Sequence, residues 1–339
     1  MRRKLVTAAL LAGLLLFDCG SAWSADPVKI RIGWVVVPAS LEPILFAVPG
    51  LARHQGKTYD LEPIHFEGTS PEITALASGE LDIAPLAFSA IGLAIQNAHM
   101  TDLRVMADEV QDGAHGYYSN EFMVLKDGPI KTIEDLKGKT LATNALGTAV
   151  DIGMRAELLR HHLRFPGDYN IIEVRFPQMQ PILAEHKADL VTAVPPFSYD
   201  PKLRDMARTL FTMKDAFGTT QLTAWVSRKP FLDRNHAALV DLMEDVLRAV
   251  RWYTNPANHD QAVAIVAKFM KQPPERFSSW LFTKKDDYRD PTGLPDLAAL
   301  QRNLDTTEKL GLLKIHVDVK KYTDLSIVKE ADARLKAAH

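Results

Sequence analysis

The stretch at residues 139–160 has the residue types of an anion-binding turn. Residues 140–143 are compatible with a buried strand, and Gly147-Thr148 adds a permissive turn and a capping hydroxyl. The apolar residues 154, 158 and 159 then recur with helical spacing. The start of a helix exposes N–H groups at its positive end, where an anion can bind without lysine or arginine. We therefore predict that this turn forms one side of a ligand cleft.

Other loops that could contact a ligand share one property, which is that each follows a predicted strand. They supply Pro38, Ser40, Phe88, Ser89, Gln178 and Phe197. In doubly wound α/β sheets, ligands bind at the edge where the parallel strands end. Each loop taken alone has residues that are common in ordinary turns, so the inference rests on the sheet edge that the loops share.

The sequence contains no pattern typical of catalysis. It has no Gly-x-Ser-x-Gly elbow, no phosphate-binding Gly-x4-Gly-Lys-Ser/Thr loop and no His-Glu-x-x-His pair. His161 and His162 are predicted to be surface residues, because adjacent helical side chains point about 100° apart and are poorly placed to share a metal. The pairs Asp108-Glu109 and Asp286-Asp287 are interpreted as solvated faces. We therefore predict no enzyme activity, with no catalytic residue, no metal site and no cofactor.

The first 25 residues differ in composition from the rest of the chain. Three basic residues precede an apolar run at 5–17, and small residues follow as far as Ala25. This order is typical of a secretory signal peptide, so we predict export, with cleavage after Ala25 or Ala22. Cys19, the only cysteine, lies inside this segment, so the mature protein is expected to have no disulfide.

Length and composition indicate a globular protein of about two domains. The chain has 339 residues, of which 47% are hydrophobic, and its formal net charge is −2. The signal segment holds three basic residues and one acidic residue, so its removal leaves a charge near −4. This charge argues against nucleic acid or an anionic membrane surface as a partner.

The elements that must position the loops alternate between strands and helices. In the first half, strands are predicted at 28–37, 59–66, after 79–84 and at 103–108, with helices at 41–54, 71–78 and 90–97. In the second half, strands are predicted at 121–125, 140–143, 171–176 and 189–194, with helices at 132–136, after Gly147 and at 180–186. This order predicts two similar α/β halves with parallel sheets, in which GELDIA (79–84) and HKADLV (186–191) are equivalent.

After Thr219 the chain is predicted to be mainly helical. One further strand is expected at 222–227, and the helix predicted at 235–253 carries an apolar stripe. More helices are predicted at 261–270, 274–282 and 295–310. We expect this tail to pack back across the first domain.

Together these segments resemble a known family, the periplasmic substrate-binding proteins of ABC importers in the nitrate, sulfonate and taurine branch. The resemblance lies in VKIRIGW, ALASGELDIAPLAFSAI, IKTIEDLKGKTLAT with the Gly-Thr helix start, QPILAEHKADLVTAVPP and FLDRNHAALVDLMEDVLRAVRWYTNP. It covers almost all of the chain after the leader. The DLKGKTLAT run and the Ala-x-x-x-Gly-Glu-Leu-Asp run are its most specific parts.

The resemblance implies two Rossmann-like lobes, the type II periplasmic binding protein fold, joined by two crossover strands near 117–125 and 219–227. The implied division is a signal peptide at 1–25, the first part of lobe 1 at 26–116, lobe 2 at 117–221, and the return to lobe 1 with the C-terminal helices at 222–339. Such a protein is expected to be a periplasmic monomer. It captures a small organic anion, a sulfonate or carboxylate, and delivers it to the transmembrane subunits of an ABC permease.

Carried over by position, the resemblance also implies a ligand site. Gly147, Thr148 and Ala149 are expected to bind the anionic head, with further polar contacts from Ser40 and Ser89. The aromatic residues among the candidates favour a ligand larger than nitrate. The full set is Trp34, Pro38, Ser40, Phe88, Ser89, Gly147, Thr148, Ala149, Gln178 and Phe197.

Two alternatives stay open at this point. One is an enzyme on the same fold, resembling thiamine-pyrimidine synthase, which requires a reactive histidine or cysteine cluster. The predicted leader and the absence of cysteine after it count against that alternative. The other is a ligand sensor that docks to a membrane receptor.

Overall fold

The computed structural model describes residues 26–338, so the predicted signal peptide lies outside the described residues. The first part of the chain alternates strands and helices, as its sequence predicts. These elements are β1 (Val28–Trp34), β2 (Tyr59–His65), α1 (Thr69–Ser78), β3 (Ile83–Ala87), α2 (Phe88–Asn97) and β4 (Leu103–Asp112).

The segment at 41–54 is not the helix that its apolar residues predict. It forms successive tight turns, in which Ile44 N–H donates to the Leu41 carbonyl at 2.9 Å and Ala47 N–H donates to the Ile44 carbonyl at 3.1 Å. Pro49 lacks an N–H and disfavours helical geometry at the residue before it. The apolar side chains of this segment, including Leu45, still join the core beside the first sheet.

The second part repeats the alternation. Its elements are β5 (Glu121–Leu125), β6 (Thr140–Thr143), α3 (Ala149–Arg160), β7 (Asn170–Glu173), α4 (Met179–Ala184), β8 (Leu190–Ala193), α5 (Pro201–Met206), β9 (Ala207–Thr212) and α6 (Met213–Phe217). The helix predicted at 132–136 is only a 3-10 turn at Glu134–Leu136. Strand β9 was not predicted from the sequence.

The last part contains one strand and several helices. They are β10 (Thr220–Arg228), α7 (Lys229–Arg234), α8 (His236–Tyr253), α9 (His259–Met270), α10 (Leu297–Lys309) and α11 (Ser326–Ala337). The helix predicted at 274–282 is wrong, because only Pro274–Arg276 forms a 3-10 turn and irregular turns follow. None of the described helices combines the length and apolar character needed to cross a bilayer.

Two mixed sheets of five strands each organise residues 26–338. Their strand orders are β2-β1-β3-β10-β4 and β7-β6-β8-β5-β9. The parallel pairs β1–β2, β1–β3, β6–β7 and β6–β8 confirm the predicted α/β halves. The expectation of fully parallel sheets is wrong, because β10 runs antiparallel to β3 and β4, and β5 runs antiparallel to β8 and β9. In each sheet the antiparallel strand is thus the first strand after the chain crosses over from the other sheet.

The predicted equivalence of the two halves is confirmed at one carboxylate in each. Asp82 Oδ2 accepts from the N–H of Arg31 at 2.9 Å, and Asp189 Oδ2 accepts from the N–H of Thr140 at 2.9 Å. In both cases the aspartate precedes one strand and ties it to the neighbouring parallel strand.

The C-terminal helices pack against the first sheet, as predicted. Helix α10 contacts β10 and α2, while α11 packs on α8 and β4. Helix α2 of the first lobe also contacts α3 of the second, and one hydrophobic cluster includes residues of both. The two sheets therefore face each other across a packed interface with a cavity at one edge.

Candidate functional site

A cavity of about 130 Å³ lies between the two sheets at the edge where the parallel strands end. Its first-lobe wall includes the loop after β1, the start of α1 and parts of β3, β4 and β10. Its second-lobe wall includes the start of α3 and the loops after β6, β7 and β8. The sequence predicts that the candidate loops lie at this same edge.

The start of α3 forms much of the second-lobe wall. Thr148 is the N-cap residue, but its hydroxyl donates to Asn144 Oδ1 and to the Ala145 carbonyl, each at 2.8 Å, and does not cap the helix. The first N–H groups of an α-helix have no partner within the helix, and Ala149 and Val150 line the cavity. This helix start therefore offers N–H donors to a solute.

A carboxylate of the same turn already interacts with the positive end of α3. Gly147 has a φ of 79°, and its N–H donates to Asp151 Oδ2 at 2.8 Å. Burial raises the pKa of Asp151, and the guanidinium of Arg155, at 2.9 Å, opposes that shift. An anion at this helix start would share the helix dipole with Asp151, which weakens its attraction.

The loop after β1 is tied to a buried arginine. The Arg289 guanidinium donates to the carbonyls of Pro38 and Ala39, and its Nη1 lies 3.5 Å from Asp286 Oδ2. Ser40 lines the cavity, and its hydroxyl oxygen accepts from the N–H of Val35 at 3.3 Å. The Pro38 carbonyl therefore holds Arg289, while Ser40 lies beside the solute space.

Buried carboxyl groups lie in the otherwise largely apolar first-lobe wall, so the interpretation of these carboxyl pairs as solvated faces is wrong. Asp286 and Asp287 are 0% and 5% exposed, and Glu109 and Asp287 both line the cavity. Burial raises the pKa of Glu109 to about 7, opposed by the nearby Thr223 hydroxyl and Arg289. Burial also raises the pKa of Asp287 well above its usual range, and the neighbouring Asp286 adds to this shift. Strand β4 continues to Asp112, beyond its predicted end at residue 108, so Glu109 lies within the strand.

Several predicted site residues lie away from this cavity. Phe88 and Ser89 are 0% and 1% exposed, and Phe88 packs edge-on against Phe217 with 5.6 Å between ring centroids. Trp34 contacts His65, with ring centroids 4.4 Å apart, and is not part of the lining.

The remaining predicted residues lie towards the outer edge of the interface. Phe197 stacks on Phe176, which lines the main cavity, with ring centroids 6.2 Å apart. Phe197 itself lines a second cavity of about 260 Å³ between the second lobe and the segment around Arg276. Gln178 is exposed and lines neither cavity. The predicted residues that line the main cavity are Ser40, Thr148 and Ala149.

Sequence reasoning missed the polar residues at the two crossings between the sheets. Asn120 precedes β5, and Thr223 lies in β10, so each sits where the chain passes from one lobe to the other. Both line the cavity together with Glu109, Asp287 and Asn144. The signal that could have found them is their place in the predicted crossover segments.

Ion pairs join the lobes at the rim of the interface. Arg175 Nη2 contacts both carboxylate oxygens of Glu67, at 2.8 and 3.0 Å, and Arg276 contacts Asp200 at 3.1 Å. We call these two contacts the rim pairs. Each pair joins a residue of the first lobe to a residue of the second.

Solved structures share this fold at low sequence identity. The periplasmic aliphatic sulphonate binding protein SsuA from Escherichia coli is 18% identical, with a TM-score of 0.69 over 88% of this chain and 92% of that one. The periplasmic nitrate-binding protein NrtA from Synechocystis PCC 6803 is 15% identical, with a TM-score of 0.68 over 92% and 90%. The desulfurization enzyme DszB is 13% identical, with a TM-score of 0.65 over 91% and 99%. These similarities establish the two-lobed fold that the sequence predicts.

The family assignment comes from a match over most of the chain. No curated protein sequence matches the chain significantly. The model of the NMT1-like family matches residues 24–267, which include both sheets and helices α1 to α8. The chain therefore belongs to the NMT1-like family.

Proposed function

We propose that this protein is the solute-binding component of an ABC importer. It captures a small organic anion, a sulfonate or carboxylate, in the cavity between the lobes and delivers it to the permease in the membrane. The observation that carries the proposal is a cavity walled by both lobes at the strand ends, with the uncapped start of α3 on one side. The relatives named for sulphonate and nitrate binding, which have this fold, support it.

Binding without chemistry fits the composition of the cavity. Within residues 26–338, the lining includes neither histidine nor cysteine, the residues that most often supply a base or a nucleophile. The periplasmic location of the two binding proteins agrees with the signal peptide predicted for this chain. We infer that the solute leaves the protein unchanged.

Capture would operate by closure of the lobes. The chain crosses between the sheets at 113–120 and 213–219, so we place the lobe boundaries near these segments, at 116/117 and 221/222. A solute that contacts both walls stabilises the closed arrangement, in which the rim pairs are formed. Release to the permease then requires these contacts to break.

Isothermal titration of the mature protein tests this proposal. We expect heat from at least one of propanesulfonate, butyrate and aminopropanesulfonate, and a smaller radius of gyration by small-angle X-ray scattering with that solute bound. Mass spectrometry should recover the solute intact. Conversion of the solute to a product would contradict the proposal, as would binding that leaves the shape of the protein unchanged.

A further inference from the structure

The cavity lining holds polar atoms, on the first lobe and at the first crossing between the lobes, that have no partner among the described residues. Asp287, 5% exposed, lines the cavity, and its Oδ1 accepts no hydrogen bond. Asn120, 3% exposed, lies in the same lining, and its Oδ1 also accepts none. A buried acceptor without a donor costs about 1–3 kcal/mol, so both atoms favour a solute that donates hydrogen bonds.

Glu109 adds a second carboxyl to the same wall. It is half-buried and lines the cavity, and its Oε1 also has no hydrogen-bond partner among residues 26–338. The Thr223 hydroxyl lies close enough to lower the pKa of Glu109 against the effect of burial, but the two groups do not form a full hydrogen bond. Two carboxyl groups with unpartnered acceptor atoms therefore lie in the wall of the cavity.

The charges around these carboxyls are mostly negative. The described lining contains no lysine, arginine or histidine. Arg289 lies behind the wall and is shared between Asp286 and the carbonyls of the loop after β1. Burial raises the pKa of Glu42 and of Glu72, and the charge of Glu109 adds to both shifts. The guanidinium of Arg289 is therefore outnumbered by the carboxyl groups on this side of the cavity.

We propose that the cavity contains a subsite for a protonated nitrogen, an amine or amidine, which binds between the carboxyl groups of Glu109 and Asp287. The proposal rests on the proposed function, because it takes this cavity as the solute site. A cationic nitrogen supplies several N–H donors to Asp287, Glu109 and Asn120, and its charge offsets that of an ionised carboxylate. The start of α3, on the opposite wall, is left for the acceptor end of the solute.

Three compounds with the same three-carbon chain separate the two ends of the site by isothermal titration. Propanesulfonate has only the anion, propylamine has only the cation, and aminopropanesulfonate has both. We expect aminopropanesulfonate to bind the mature protein at least about tenfold more tightly than propanesulfonate. Glu109→Gln and Asp287→Asn should each reduce this preference to less than about threefold, because they keep the shape and remove the charge. Glu80→Gln, which changes an exposed carboxyl outside the lining, should keep the preference.

The outcomes distinguish this inference from the proposed function. If propanesulfonate binds as tightly as aminopropanesulfonate, the nitrogen subsite is wrong and anion capture stands. If propylamine binds and propanesulfonate does not, the subsite is supported and the anionic head is wrong. A preference that survives both Glu109→Gln and Asp287→Asn, in variants with unchanged melting temperatures, overturns the assigned residues. Failure of all three compounds to bind overturns the subsite for amines of this size.

Discussion

Glu72 is a carboxyl group whose burial should control how stability varies with pH. It lies in the first turn of α1, is 0% exposed, and neither of its carboxyl oxygens has a hydrogen-bond partner among the described residues. Burial raises its pKa from 4.5 to about 9, and the charge of Glu109 adds to this shift. The folded protein therefore keeps a proton on Glu72 that the unfolded chain releases.

The sign of the effect follows from this difference in bound protons. Below the unfolded pKa near 4.5 both states are protonated, and the contribution of Glu72 to stability is fully present. As pH rises from there towards the folded pKa of about 9, that contribution is progressively lost. One such group changes the free energy of unfolding by up to about 1.4 kcal/mol per pH unit. Between about pH 5 and pH 8 the loss amounts to a few kcal/mol.

Glu72→Gln should remove this dependence. The amide costs about 1–3 kcal/mol wherever it lacks partners, but that cost is the same at every pH. We expect the difference in unfolding free energy between pH 5 and pH 8, measured by urea titration, to shrink in Glu72→Gln by a few kcal/mol. Glu80→Gln, at an exposed position just after α1, is the matched control and should follow the original protein. Parallel pH curves for the original protein and Glu72→Gln would refute the reasoning.

Three further predictions concern the start of α3, the rim pairs and β1. Thr148→Asp should weaken solute binding at least about tenfold, about 1.4 kcal/mol, relative to the neutral Thr148→Asn, through repulsion of the anionic end; equal affinities by titration calorimetry would place the anion elsewhere. Arg175→Glu should weaken solute binding by less than about fivefold, because the side chains of Arg175 and Glu67 are 71% and 69% exposed. Adding Glu67→Arg should restore the affinity. If the swapped pair does not restore it, the ion pair does not explain the loss. Gly33→Ala places a Cβ against the Glu72 carboxylate and 3.2 Å from Leu81 Cδ1, and should lower the free energy of unfolding by about 1–3 kcal/mol. Gly68→Ala is the control, because the space around Gly68 is open, and it should leave the free energy of unfolding unchanged. Equal urea midpoints for the two variants would contradict this prediction.

The sequence predicts those elements whose secondary structure is determined by residues close together in the chain. Strands β1 and β8 are short runs rich in β-branched residues, and α8 carries a regular apolar stripe between Asn235 and Thr254. Segment 41–54 has a helical apolar pattern, but its prolines and its packing against the first sheet replace the helix with turns. There, tertiary contacts satisfy the apolar side chains without helical hydrogen bonds.

The candidate site was only partly predictable for a similar reason. The start of α3 has a local signature in Gly147-Thr148, and the structure does bring Thr148 to the cavity. The carboxyls of Glu109 and Asp287 come from segments far apart in sequence. In the sequence, the pairs Asp108-Glu109 and Asp286-Asp287 are each typical of an ordinary polar surface. Only the insertion of β10 between β3 and β4, with the packing of the segment before α10, buries them together. Burial of this kind depends on topology, which the residue pattern does not specify.

The return of β10 to the first sheet also affects the order in which a newly made chain can fold. The first sheet needs β10, which lies between β3 and β4, so it cannot be complete until residue 228 has been synthesised. The second sheet is formed by a continuous segment, from β5 to β9. During synthesis from the N-terminus, the second sheet is therefore the first that can be completed. Until β10 is made, β3 and β4 lack the strand that lies between them, and their edges stay unpaired. The N-terminal half of this protein is made first but must be finished last.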